Sequence, residues 1–182
     1  MMLRPATCLY AARAIRDFGD GFVAILLAVY LSELGLGAFE VGVVATAALL
    51  GSALMTLGIG LLGPASAQRT LLMFASGLMI ATGVAFAAAD SFAVLLLVAF
   101  VGTINPTSGN VSVFVPMEHA LLAGAAPDAG STRMFAVYGL TGAFAAAVGS
   151  LAAGSPELLV TLGWSRLGAL KAMFVLYAFL GI

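Results

Sequence analysis

The stretch VGVVATAALLGSALMTLGIGLL, residues 41–62, holds no charged side chain and no proline. A bilayer-spanning helix needs about 20 such residues. Runs of the same kind flank it on both sides, so the reading extends to the whole chain. Of 182 residues 63% are hydrophobic and 8% charged, and the mean hydropathy is +1.16. A soluble domain is about 45–50% apolar and about 25% charged. A soluble fold of this composition would lack the polar surface to cover its outside. A soluble globular enzyme is therefore excluded, and the lipid bilayer is the expected solvent and first partner. Seven basic against eight acidic residues give a net charge of −1, with no basic surface for nucleic acid.

Working outward, uncharged runs separated by turn residues predict six membrane helices over about 16–32, 41–62, 70–89, 92–117, 133–153 and 167–182. The fold class is all-α, a single six-helix transmembrane domain over residues 1–182. Gly63, Pro64 and Ser66 end the second span, and Asp90-Ser91 turns the third into the fourth. A loop is expected over 118–132 and another over 154–165. The first span reads as retained and not as a signal peptide, because Asp17 and Asp20 sit where an apolar core would begin. The sixth is short, so either Arg166 and Lys171 snorkel within it or the chain is the front part of a longer protein. With the N-terminus in the cytoplasm, Arg4, Arg13, Arg16, Arg69 and Arg133 are inside and only Arg166 and Lys171 outside, as the positive-inside rule asks. Spans 1–3 and 4–6 read as two units of a 3+3 inverted repeat. In each the first span is polar and interrupted, a pattern that points to a transport site.

Two polar stretches could carry chemistry. Arg13, Arg16, Asp17 and Asp20 recur at spacings of three and four, so they share one helical face and each Arg precedes an Asp by one turn. Charged residues inside membranes are by default functional, and Asp17 and Asp20 are candidate proton or cation carriers, Asp20 the deeper. The competing reading is a cap at the cytoplasmic interface. In the fourth span, Gly102-Thr103-Ile104-Asn105-Pro106-Thr107-Ser108-Gly109-Asn110 combines amides and hydroxyls with two helix breakers. A break in lipid must face protein or water. Asn105, Ser108 and Asn110 are thus candidate substrate or ion contacts, or else a structural kink bonded to neighbouring helices. Glu118 and Arg133 could latch the inner side with Arg13 and Arg16. Simple solvation of loop charges is the competing reading. A single His and a single Cys supply no metal site, and no catalytic motif occurs. No catalytic residue and no cofactor is expected beyond proton or cation coupling. Tyr138, Trp164 and Tyr177 read as interfacial or packing aromatics, and the glycines of the fifth span as packing positions.

Asp17-Phe18-Gly19-Asp20-Gly21-Phe22, Glu40-Val41-Gly42-Val43-Val44-Ala45-Thr46-Ala47, Arg69-Thr70-Leu71-Leu72 and Thr132-Arg133-Met134-Phe135-Ala136-Val137-Tyr138 resemble the N-terminal half of a major facilitator superfamily transporter of uncharacterised bacterial type. The loop between spans 2 and 3 departs from that family in lacking its Asp, and the family's antiporter glycine-proline motif is absent. The resemblance implies a secondary transporter that moves a small solute across the bacterial cytoplasmic membrane by alternating access. It further implies a missing C-terminal half, or a second copy, as partner. The readings of another class are a six-helix channel or a non-transporting scaffold that acts as a homodimer.

Overall fold

The computed structural model describes residues 3–62, 68–107, 112, 114–125 and 131–182. Among them it contains eight helices: α1 Leu3–Glu33, α2 Ala38–Leu62, α3 Gln68–Ala88, α4 Phe92–Val101, α5 Phe114–Ala125, α6 Ser131–Ala152, α7 Ser155–Thr161 and α8 Arg166–Phe179. The protein is all-helical. Three stretches, Ala38–Leu61, Arg69–Ala88 and Thr132–Thr161, are long and apolar enough to cross a membrane by length and composition.

The expected second, third and fifth spans match α2, α3 and α6 within two or three residues. Elsewhere the architecture differs. α1 begins at Leu3 and runs without a break past Gly19 and Gly21, so the first segment is long and not interrupted. The fourth is divided. α4 stops at Val101, where Gly102 turns extended with φ −80° and ψ −175°. Pro106 then keeps Asn105 out of the helical region. The Asn105 amide oxygen accepts from the Thr107 backbone N–H at 2.9 Å and from its hydroxyl at 2.7 Å. This side-chain turn replaces the lost helical bonds. Only one of the two segments expected to be interrupted is therefore broken. Residues 114–125, in large part an expected loop, are helical as α5. α7 fills much of the expected 154–165 loop. The sixth segment starts at Arg166, which places both Arg166 and Lys171 inside α8.

Backbone contacts set the helix directions. α1 and α6 run parallel, with Tyr10 meeting Met134, Arg13 meeting Tyr138 and Gly21 meeting Ser150, and they lie very close: a Cβ on Gly21 would lie 2.2 Å from the Ala146 carbonyl oxygen, and one on Gly149 would lie 2.0 Å from that of Phe18. Small residues permit this approach. α8 runs antiparallel to α1 and α3, with Gly83 against the backbone of Phe174 and Ala178. Between α1, α3 and α8, Phe86 stacks on Phe174 and Tyr30 packs against both rings at a tilt. The Tyr30 hydroxyl meets the carbonyls of Phe86 at 2.7 Å and Ala89 at 3.0 Å. At that end Arg166 pairs with Glu157 at 3.3 Å and Glu33 at 3.7 Å, and Lys171 with Asp90 at 2.6 Å. These five charges form a belt at one end of the bundle.

Candidate functional site

The opposite half of α1 carries the second charged group. Arg13, Arg16, Asp17 and Asp20 are each no more than 7% exposed, and Glu118 of α5 is 1% exposed. Helical rise puts Arg13 about 30 Å from Glu33 along α1, the thickness of a bilayer core, and Asp20 about 20 Å from Glu33. Asp20 therefore lies within the apolar body of the bundle and not at the belt.

The partners follow from which helices face α1. Arg13 Nε stands 2.6 Å from Asp17 Oδ2, one turn on. The Arg13 guanidinium also donates to the Tyr138 hydroxyl of α6 at 2.9 Å and lies 4.6 Å from that ring's centroid. Gly142 leaves the room for this pair: a Cβ there would be 2.3 Å from Asp17 Oδ2. Arg16 donates to Glu118 Oε1 at 2.5 Å and packs 4.0 Å over the Phe114 ring. The Tyr138 hydroxyl donates to the other Glu118 oxygen. One hydroxyl thus joins α1, α5 and α6 through two ion pairs. A desolvated charge without such partners would be very costly.

Asp20 is held differently. Its Oδ1 accepts from the Tyr177 hydroxyl of α8 at 3.3 Å. No guanidinium stands within ion-pair distance of it among the described residues. The same hydroxyl lies 3.3 Å from the Thr103 hydroxyl and 3.3 Å from the Thr103 carbonyl oxygen. Thr103 is the second residue after α4 ends, and its N–H reaches the Thr82 hydroxyl at 3.3 Å.

Arg16 also lines a cavity of about 530 Å³ with Ala12, Ser76, Met79, Phe114 and the segment after Phe179. A larger groove, about 800 Å³, lies between α2 and α4, but Phe39, Leu50, Leu97 and Phe100 make its walls apolar. In a bilayer such a face meets lipid and offers nothing to a polar solute.

The expected site residues separate accordingly. Arg13, Arg16, Asp17, Asp20 and Glu118 come together. The expected Arg13–Asp17 pair forms, but Arg16 turns to Glu118 and not to Asp20. The expected Glu118–Arg133 latch does not form, because Arg16 and Tyr138 take the Glu118 carboxylate while Arg133 is exposed on α6. Nor is Glu118 a solvated loop charge. Asn105 is 1% exposed and spends its amide oxygen on the local turn. Ser108 and Asn110 lie outside the described residues. Tyr138 and Tyr177, expected as interfacial or packing aromatics, and Thr103, part of the polar stretch, are not among the expected site residues. Their signal was slight: hydroxyls within apolar runs, which must find partners when buried. Among the described residues no group of three or more His, Cys, Asp or Glu side chains is set to hold a metal ion.

No family model matches the chain, and no solved structure matches it. It is similar to a protein of the yeast Saccharomyces cerevisiae described as an uncharacterised membrane protein, at 25% identity over 179 residues. That match covers 97% of this chain and 40% of the relative, so the chain spans about two fifths of the length of the curated relative it matches. With its apolar helices, this makes the chain a membrane protein with transmembrane helices. It also corrects the resemblance to a bacterial major facilitator transporter, since the matched relative is a yeast protein that carries no such description. The residues behind that resemblance have a local account. Gly21 and Gly19 admit Ala146 and Tyr177 at close range, and Asp17 and Asp20 meet partners on the preceding turn of α1 and on α8. Close-packed polar helices of any lineage need the same residue types.

Proposed function

We propose that the chain forms a six-pass membrane carrier that moves a small solute by alternating access, coupled to a proton or cation. The six passes are α1, α2, α3, α4 with α5, α6 with α7, and α8. One observation carries the reading: five ionisable side chains are buried inside an apolar bundle beside an Arg16-lined cavity. Intramembrane charges of this kind are costly and mark pathways for ions and solutes. In this proposal Arg16 offers the solute its guanidinium once the contact with Glu118 opens. The joint of Arg13, Arg16, Tyr138 and Glu118 is the gate. Asp17 stays paired, Asp20 carries the coupling charge, and Asn105 shapes the break. The proposed setting is a cellular membrane, in keeping with the apolar helices and the similarity to a yeast membrane protein.

The test is counterflow in proteoliposomes that hold the full chain and are loaded in turn with amino acids, organic acids or sugars. Saturable tracer accumulation for one class, lost in Arg16→Gln, is the expected outcome. Flux that rises without saturation would identify a pore. No flux from a stable dimer would identify a scaffold.

A further inference from the structure

The buried cluster holds three carboxylates and two guanidiniums. Arg13 stands against Asp17 and Arg16 against Glu118. Asp20 meets the Tyr177 hydroxyl and, among the described residues, no guanidinium at ion-pair distance, so with every group ionised these five side chains carry one unbalanced negative charge. Among the described residues its polar neighbourhood gathers oxygens: Asp20 Oδ1, the Tyr177 hydroxyl, and the hydroxyl and carbonyl of Thr103. Three of these contacts share the Tyr177 oxygen, each at 3.3 Å. Hydroxyl bonds to oxygen prefer about 2.7–2.8 Å. The phenol has one proton, while Asp20 Oδ1 and the Thr103 carbonyl are both pure acceptors. The group is thus looser than a satisfied hydrogen-bond network. The C-terminal end of α4 lies two residues from Thr103, and a helix C-terminus favours a positive charge. Broken membrane helices present unwound carbonyls to ions in this way.

We propose that Asp20, Thr103 and Tyr177 form a binding site for a monovalent cation of the sodium type. Hard oxygen donors select a hard cation. A single carboxylate balances one positive charge, and a divalent ion would leave the cluster with a surplus. The ion would draw α1, α8 and the α4–α5 break together. The inference rests on the carrier reading for the ion's purpose, but its test reads binding and not flux.

The experiment is radioactive sodium binding to the purified full chain in detergent, with thermal unfolding in sodium chloride against choline chloride at equal ionic strength and pH. Saturable sodium binding and a sodium-specific rise in Tm are expected. Both vanish in Asp20→Asn, a variant of equal size that relieves the unbalanced charge and so retains the fold. Thr103→Val weakens binding about tenfold or more, and Thr103→Ser restores it. Equal Tm in sodium and choline, or a sodium response that survives Asp20→Asn, overturns the site. A Tm that follows pH alone does so too and assigns Asp20 to a proton. Sodium binding without any solute flux leaves this site standing while the carrier reading falls. Solute flux without sodium binding does the reverse.

Discussion

Arg16 and Glu118 are far apart in sequence, yet their heads meet at 2.5 Å with Glu118 almost wholly buried. Removing one partner of such a pair leaves a desolvated charge, at a cost of about 3–5 kcal/mol. Arg16→Met and Glu118→Gln are each expected to lower unfolding stability in detergent by about that amount. The double variant Arg16→Met/Glu118→Met should lose much less than the sum, since apolar replacement of a whole buried pair is often neutral. Additive losses in the double-mutant cycle would show that the two side chains do not meet. Spacing on α1 placed the four charges on one face, and that face is indeed buried together. Spacing could not tell Arg16 to prefer Glu118 over Asp20, because the choice depends on where α5 packs.

At the scale of elements, α1 and α6 are joined by a close backbone approach. Gly149→Ala puts a Cβ against the Phe18 carbonyl, and separating the two backbones is expected to cost about 1–3 kcal/mol. Gly139 on the same helix has open space around its Cβ position. Gly139→Ala should therefore be neutral, or stabilise by up to about 1 kcal/mol through helix propensity. Thermal unfolding of the two variants side by side reads the difference, and equal losses would contradict the parallel α1–α6 contact. The α4–α5 break was legible from Pro106, but not that α4 already stops at Val101. That the same break holds Thr103 beside Tyr177 was not, because α8 lies far along the chain.

For the molecule as a whole, the ion pairs gather Glu33, Asp90, Glu157, Arg166 and Lys171 at one end. Tyr10 meets the Met134 carbonyl at 3.4 Å, which puts the start of α6 at the other. Cys8 is the single cysteine, so a Cys8→Ser background permits site-directed labelling. Single cysteines at 33, 90 and 157 should react with an impermeant reagent from one side of the membrane, and those at 69 and 133 from the opposite side. Labelling of 33 and 133 from the same side would exclude the six-pass arrangement.

Composition and patterning alone determined the solvent, the helical class and the places where α1, α2 and α3 end. Those properties depend on local hydrophobicity and on Gly and Pro, which act within a few residues. They also marked two polar stretches, without choosing between burial and an interfacial cap for the first or between solute contact and a structural kink for the second. Tertiary structure decided the pairing: Glu118 with Arg16, Asp20 with Tyr177, and Gly142 beside the Arg13–Asp17 pair. A buried charge takes whichever partner helix packing brings within a few ångströms, and no local pattern encodes which helices become neighbours.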